Sequence, residues 1–358
     1  MASIPCSVPA VQEPATTKTT DFYILPDLAV DCPFPLVYHV DGDIVDAQCS
    51  EWLYKNSPKL TPKQRAAIYR LQAGKLTAFC FKDASTPRLR VIADFLTYLF
   101  HLDNVSDGML TNESDVLSDT VMNALFYPES YRPTKGQPEE EITAGKLARD
   151  FWMRCLPDAG PGIQKRFLET LQMFFESVSV QAKVREEGNV PDMESYIDIR
   201  RDNSGCKPCW ALIEYGLGIE LPEEVTEDPI ILALGESAND WVTWTNDLFS
   251  YNVEQARGDE QLNMVYIFMY HHGKTLQEAI DCTAELCRGT IKEFLKNKAL
   301  LPSWGPEIDD MVRRYVIGLE DWIVGSLHWS FLTERHFGKS GAEIKKSRVV
   351  HLLPRVNA

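Results

Sequence analysis

Apolar residues recur at helical spacing along most of the chain, whereas the strict alternation of a half-buried strand is nearly absent. The clearest segment lies at 308–323, where apolar side chains return every three or four residues. They are Ile308, Met311, Val312, Tyr315, Val316, Leu319, Trp322 and Ile323. This spacing predicts an amphipathic helix whose apolar face packs against the rest of the protein.

Turn-forming residues divide the helical pattern into segments of ordinary to long length. Residues 22–35 contain three prolines and predict an extended strap before the first helix. Further breaks are predicted at 56–62, 128–138, 157–162, 188–191, 221–229 and 301–306. These linkers are too short to separate independent domains, and no repeat of fixed period occurs. We therefore predict one all-α domain over 22–338, with a disordered N-terminal tail at 1–21 and a C-terminal tail at 339–358.

Charge and composition narrow the class of protein. The 358 residues include 36 basic and 52 acidic side chains, a net charge of −16, which disfavours nucleic acids and anionic membranes as partners. No apolar run reaches the length of about 18 residues that a membrane-spanning helix needs, and no signal-peptide pattern opens the sequence. Nine scattered cysteines, with a single CxxC at 206–209, are typical of reduced thiols. We expect a cytoplasmic protein, and an anionic substrate would need cations as a bridge.

Two carboxylates extend an apolar helical stripe in the segment RVIADFLTYLFHLDNVSD. Asp103 and Asp107 follow Leu96 and Leu99 at the same spacing, and residues four apart lie only about 40° from one another around a helix. Buried carboxylates are costly without partners, so a metal ion or a basic group is expected to meet them. The alternative is a helix whose last turn emerges into solvent.

A second polar stripe follows in the segment ANDWVTWTNDLFSYNVEQ. Asn246, Ser250 and Glu254 succeed one another at intervals of four and share one helix face. They offer only hard oxygen ligands, which suit Mg²⁺. The alternative is that Asn and Ser satisfy local backbone groups while Glu254 remains in solvent.

These segments resemble the signature motifs of class I terpene synthases, most closely those of basidiomycete sesquiterpene synthases. The segment DNVSD at 103–107 is similar to the aspartate-rich motif in its fungal form, and NDLFSYNVE at 246–254 matches the NDxxSxxxE triad. RDNSG at 201–205 is similar to the sensor, linker and effector stretch, and Arg335-His336 stands where the family has Arg-Tyr. The four motifs occur in the expected order. The resemblance covers nearly the whole chain and implies an α-helical bundle around a central cavity.

The resemblance also implies a metal centre. Asp103 would hold part of a Mg²⁺ cluster, and Asp107 would support that cluster without binding an ion directly. Asn246, Ser250 and Glu254 would hold another ion from the opposite wall. A trinuclear cluster would then form together with the diphosphate of the substrate, which for this branch of the family is farnesyl diphosphate.

Other residues are expected to act on the substrate itself. Arg201, Arg335 and His336 would bind the diphosphate, and Ser204 and Gly205 would couple that contact to ionisation. His336 replaces the usual tyrosine, and a diphosphate beside it would favour the imidazolium form. Aromatic faces stabilise a carbocation without a nucleophile, and the candidates for this role are Phe79, Phe100 and Trp329.

The expected activity is therefore Mg²⁺-dependent ionisation of farnesyl diphosphate, release of diphosphate and cyclisation to a sesquiterpene, by a monomer or a homodimer. A chain-elongating prenyltransferase is one alternative, although its second motif would be rich in aspartate. A non-catalytic helical protein that binds prenyl diphosphates is another, with His336 as the sign of lost activity. Val253, at a position where many relatives have a basic residue, is a second departure from the family. The sequence does not reveal which product forms, because cavity shape depends on the packing of many apolar residues.

Overall fold

The computed structural model describes residues 21–106, 109–133, 137 and 139–356. The strands are β1 (Phe22–Ile24) and β2 (Val349–His351). The helices are α1 (Gly42–Asn56), α2 (Pro62–Leu71), α3 (Ala73–Cys80), α4 (Thr86–Ser106), α5 (Thr111–Phe126), α6 (Thr143–Cys155), α7 (Pro161–Glu187), α8 (Met193–Asn203), α9 (Cys206–Leu217), α10 (Glu223–Thr226), α11 (Pro229–Arg257), α12 (Met264–His272), α13 (Leu276–Lys298), α14 (Pro306–Trp329), α15 (Glu334–Phe337) and α16 (Gly341–Ser347). The predicted all-α class is confirmed.

Prolines account for many of the helix boundaries. Pro62, Pro161, Pro229 and Pro306 each stand in the first turn of a helix, where the missing N–H has no intrahelical partner to lose. Four of the predicted breaks therefore coincide with the start of a helix. The break at 221–229 additionally contains the single turn of α10.

Helix α14 confirms the predicted amphipathic pattern. Its buried face carries Val312, Tyr315, Val316, Leu319, Trp322 and Ile323. The helix packs against α3, α9 and α11. Each large apolar side chain buried in this way contributes about 1.5 to 3 kcal/mol relative to exposure.

The two ends of the described chain meet on the back of α11. β1 and β2 form an antiparallel pair in which Phe22 lies opposite His351. Asn252 of α11 donates from Nδ2 to the carbonyl of His351 at 2.8 Å, and Gln255 donates from Nε2 to the carbonyl of Leu353 at 2.8 Å. The residues after 338, which the sequence indicates only as a tail, are thus packed against the helical domain as far as 356. Strands of three residues are too short to give a periodic signal, which explains the difference.

No helix in the described part of the chain combines the length and the apolar character needed to cross a membrane.

Candidate active site

A cavity of about 210 Å³ lies among the helices, and along three of them its lining changes from apolar to polar side chains. On α4 the lining runs from Leu96, Leu99 and Phe100 to Asp103; on α7 from Phe174 to Gln181 and Arg185; on α11 from Val242 to Asn246, Glu254 and Arg257. In each helix the polar lining residues follow the apolar ones. The C-terminal ends of these helices therefore converge on a polar mouth, and the negative ends of their dipoles favour cations there.

Asp103 occupies this mouth as predicted. Its carboxylate accepts a hydrogen bond from Nη2 of Arg335 at 2.7 Å, and Nη1 of the same arginine donates to Asn104 at 3.3 Å. The aspartate-rich motif and Arg335, although 232 residues apart, are thus in direct contact. Asp107 lies outside the described residues, so its role stays a prediction.

The predicted polar stripe of α11 is confirmed as a shared helix face near the mouth. Asn246 and Glu254 line the cavity, and Ser250 is buried between them with 8% exposure. The hydroxyl of Ser250 has no partner of good hydrogen-bond geometry within the described residues, although it lies near enough to Glu254 to favour that carboxylate's charged form. Such a buried oxygen is available to a ligand.

Neighbouring residues fix the orientation of the Glu254 carboxyl group and shift its pKa. Asn263 donates from Nδ2 to Oε2 of Glu254 at 2.8 Å, which fixes the orientation of the carboxyl group. Burial, and then the negative charge of Asp247, raise the pKa of Glu254 to about 7, while Arg200 opposes the shift. A cation bound beside it would favour the carboxylate, so a proton and a cation compete for this group near neutral pH.

Asp247, in the same motif, binds other protein groups through both of its carboxylate oxygens. Its Oδ2 accepts from the hydroxyl of Tyr196 and from the backbone N–H of Met264, the latter at 2.9 Å. Its Oδ1 accepts from Nε and Nη2 of Arg200 at 3.2 and 3.1 Å. With both oxygens occupied and the side chain buried, Asp247 is a support for Arg200 and not a free ligand.

The arginine that reaches the cavity is Arg200, and the prediction of Arg201 is a residue out of register. Besides Asp247, Arg200 contacts Oδ1 of Asn246 at 2.9 Å from Nη2. Arg201 turns away: its fork is occupied by Asp240 at 2.8 and 2.7 Å, and Nη2 lies 3.0 Å from Glu236. Successive helix residues differ by about 100° in direction, so only one of two adjacent arginines can face the cavity.

Ser204 and Gly205 lie on the cavity wall, at a break between α8 and α9 that is not among the predicted breaks, and their role in ionisation stays a prediction. Gly205 has φ +74°, and a Cβ there would come within 2.7 Å of Leu99, so glycine is required by both backbone and space. The hydroxyl of Ser204 donates to Oδ1 of Asn239 at 2.8 Å. Asn239 in turn donates to the carbonyl of Arg201 at 2.7 Å, which satisfies the backbone of the broken helix.

His336 does not face the cavity, contrary to its predicted role as a diphosphate ligand. It is 2% exposed and packs edge-on against Trp329, with ring centroids 6.0 Å apart, and beside Phe249. Neither ring nitrogen has a hydrogen-bond partner among the described residues. Burial, and then the charge of Arg335, lower the pKa of His336 to about 3, so the imidazole is neutral and not the expected imidazolium.

This environment predicts an effect of His336→Phe on acid stability. The unfolded histidine has a pKa near 6.5, so below that pH the unfolded state binds a proton that the folded state excludes until about pH 3. Stability due to neutral His336 is therefore lost as pH falls from 6.5. Between pH 7.5 and 5 we expect the variant to gain about 2 kcal/mol relative to wild type. Urea titrations of both proteins at the two pH values measure this gain.

A constant difference between the two proteins across that pH range would contradict the burial of a neutral imidazole. Steady-state turnover provides the second readout. We expect His336→Phe to retain activity within a few-fold of wild type, since the ring lies outside the cavity lining.

Two of the three predicted aromatic residues line the cavity. The rings of Phe100 and Trp329 lie 5.4 Å apart, and the guanidinium of Arg335 stands 5.3 Å above Phe100, at the boundary between the polar and apolar lining. Phe79 is misplaced in the prediction: it packs on Tyr38 with centroids 4.7 Å apart and does not line the cavity.

Several lining residues were not anticipated from the sequence. They are Gln181, Arg185, Asn203, Arg257, Asp259 and Trp322. Asn203 accepts from Nη1 of Arg200 at 3.3 Å. One signal was available for this pair, because Tyr196, Arg200 and Asn203 recur at helical spacing and Tyr196 is the buried residue of α8.

The oxygen ligands near the mouth suit Mg²⁺, provided that the substrate supplies the remaining ligands. Among the described residues no three His, Cys, Asp or Glu side chains gather as a preformed metal site. The donors present are instead the carboxylates of Asp103 and Glu254, the amide oxygen of Asn246 and the unpartnered hydroxyl of Ser250. Mg²⁺ prefers such oxygen ligands and commonly takes the remainder from phosphate and water.

Comparison with known proteins agrees with this site. A family model described as terpene synthase family 2, C-terminal metal binding, matches residues 94–293. That range contains α4 from Asp94 onward and the whole of α11, the two helices that carry the metal-ligand candidates.

Individual relatives match over nearly the full chain. Alpha-muurolene synthase of Coprinopsis cinerea is 62% identical over 95% of this chain and 81% of its own length. Sesquiterpene synthase Agr3 of Cyclocybe aegerita is 58% identical over 97% and 98%. Among solved structures, wild-type cucumene synthase superimposes with a TM-score of 0.70 at 21% identity, covering 84% of this chain and 99% of that one, which shows the shared fold. The chain therefore belongs to the terpene synthase family, among the fungal sesquiterpene synthases.

Proposed function

We propose that this protein binds farnesyl diphosphate and Mg²⁺, ionises the substrate and cyclises the resulting carbocation to a sesquiterpene. The observation that supports the proposal is the division of one cavity into a charged mouth and an aromatic interior. An allylic diphosphate has the same division, with a multiply charged head and an apolar chain. We propose accordingly that the diphosphate lies at the mouth and the prenyl chain lies among the apolar side chains.

The metal ligands in this proposal are Asp103 on α4 and Asn246, Ser250 and Glu254 on α11. Bound Mg²⁺ would neutralise the charge of the departing diphosphate. Two unit charges about 4 Å apart interact by about 4 kcal/mol at an effective dielectric of 20, so divalent ions exert a larger effect than any single arginine.

The arginines orient the leaving group. Arg200, braced by Asp247, and Arg335, braced by Asp103, line the mouth, where the N–H groups that these partners leave unoccupied can donate to phosphate oxygens. Because each fork is already held by an acid, its direction is fixed before substrate arrives, which lowers the entropic cost of binding.

The interior protects the carbocation. Phe100, Trp322 and Trp329 line the cavity, where their rings would shield a bound prenyl chain from water. A cation beside a desolvated aromatic face gains about 2 kcal/mol without forming a bond to it. Cyclisation is thus favoured over capture by water.

The test is incubation of purified protein with farnesyl diphosphate and Mg²⁺, followed by gas chromatography of the volatile products. Cyclic sesquiterpenes that disappear on chelation of the metal are expected. Parallel reactions with geranyl and geranylgeranyl diphosphate determine the preferred chain length. Addition of isopentenyl diphosphate tests the alternative prenyltransferase, since a longer prenyl diphosphate as the main product would contradict the proposal. The non-catalytic alternative predicts binding without turnover. His336 does not line the cavity, so its presence gives that alternative no support.

A further inference from the structure

The arginines at the cavity mouth differ in the hydrogen bonds and ion pairs that they form with the rest of the protein. Arg200 and Arg335 are bound to buried or partly buried acids. Within the described residues, the side chain of Arg185 donates only to the carbonyl of Ser106, at 3.3 Å from Nη2. Arg257 lines the same cavity, yet its side chain forms no hydrogen bond or ion pair with any residue that the structure describes.

The position of Arg257 on α11 directs it toward the metal-ligand candidates. It follows Asn246 by eleven residues, which is about three helical turns with a residual rotation of about 20°. It therefore extends the face that carries Asn246, Ser250 and Glu254. It is also the last residue of the helix, where a cation is favoured by the dipole, and Gly258 ends the helix with φ +81°.

Arg257 and Arg185 approach the mouth from different helices. Both guanidinium groups act on Asp259, since their charges oppose the rise in the pKa of Asp259 that burial causes. The ends of α7 and α11 thus bring two cations and the carboxylate of Asp259 to the same entrance. Neither arginine is neutralised by a hydrogen-bonded acid in the described part of the chain.

A diphosphate at the mouth would need arginines whose charge is not already balanced by an acid. Arg200 balances Asp247, and Arg335 balances Asp103, so neither adds net positive charge to the site. A diphosphate is multiply negative, and a guanidinium with free N–H groups binds phosphate oxygens through charge-assisted hydrogen bonds.

We propose that Arg257 is a diphosphate-binding residue of this site, with Arg185 facing it across the mouth. This inference rests on the proposed function. Arg257 supplies a cation one turn beyond Val253, an apolar residue that does not line the cavity. Because no described residue accepts a hydrogen bond from its guanidinium group, its N–H donors are available to the ligand.

The experiment compares Arg257→Gln and Arg257→Lys with a matched control, Arg313→Gln. Arg313 is an exposed arginine of α14 that pairs with Asp310 and does not line the cavity. Isothermal titration measures the affinity of each protein for inorganic diphosphate in excess Mg²⁺. We expect Arg257→Gln to weaken binding about tenfold or more, Arg257→Lys to recover part of the loss, and Arg313→Gln to match wild type. Melting temperatures should change little, because the guanidinium group of Arg257 forms no hydrogen bond or ion pair with a described residue.

Diphosphate affinity of Arg257→Gln equal to that of wild type overturns the inference, as does an equal loss in Arg313→Gln. The proposed function is judged separately, by turnover of farnesyl diphosphate in the wild type. A wild type that binds diphosphate but forms no hydrocarbon refutes the proposed function and still decides the role of Arg257. A wild type that binds no diphosphate overturns the inference about Arg257, while the proposed function is still decided by turnover.

Discussion

Glu254→Gln is expected to lower sesquiterpene formation at least about a hundredfold while leaving the protein folded. Asn263 donates a hydrogen bond toward this side chain, so the glutamine would turn its carbonyl oxygen to Asn263 and its NH₂ group to the site of the cation. An NH₂ group cannot bind Mg²⁺. Loss of groups that merely support metal ligands already costs about 10- to 100-fold, and a ligand should cost more.

The measurement is kcat and KM with farnesyl diphosphate over a range of Mg²⁺ concentrations, alongside thermal unfolding. Glu293→Gln is the matched control, because Glu293 is an exposed acid of α13 that pairs with Lys296. Near-normal turnover in Glu254→Gln would contradict the assignment of α11 as a metal-binding wall. A fall in melting temperature without loss of turnover would indicate a purely structural carboxyl group.

The second large effect concerns two adjacent arginines. Arg200→Lys is expected to lower kcat/KM about 10- to 100-fold, because lysine keeps the charge but cannot contact Asn246 and Asp247 together and still present a planar fork. Hydrogen bonds to charged groups contribute about 1.5 to 3 kcal/mol, which corresponds to this range. Tyr196 and Met264 continue to donate to Oδ2 of Asp247, and the lysine keeps a positive charge beside this buried carboxylate, so the variant should fold.

Arg201→Lys is the internal control, since its partners Asp240 and Glu236 lie outside the cavity lining. Its pairs are partly exposed, and such pairs contribute about 0 to 1 kcal/mol. We expect its activity to remain within about twofold of wild type. The opposite ranking of the two variants would restore Arg201 as the residue that binds diphosphate.

The helices and the metal-ligand candidates could be predicted because both depend on local spacing. Proline fixes where helices begin, and oxygen ligands four residues apart share one face whatever surrounds them. Asp103, Asn246 and Glu254 accordingly lie at the cavity mouth.

The misplaced residues depend on rotations that a single sequence does not fix. Arg200 and Arg201 differ by one step around α8, and each has a suitable acid nearby, so composition alone does not choose between them. His336 follows an arginine that lines the cavity, yet one step along a helix of four residues turns it into an aromatic cluster. Phe79 is diverted by contact with Tyr38, a residue 41 positions away whose location depends on the tertiary fold.

The pairing of β1 with β2 closes the chain into a loop. Residues directly opposite in an antiparallel pair have Cα atoms about 4.5 to 5.5 Å apart, and the backbone N–H of Leu352 also reaches the carbonyl of Asp21 at 2.9 Å. A short linker from 356 to 21 would therefore join the ends without crossing the domain, and the exposed turn between α13 and α14 offers a new opening far along the sequence from either strand. A circularly permuted chain of residues 21–356 built in this way is expected to fold, with the back of α11 covered by a continuous hairpin.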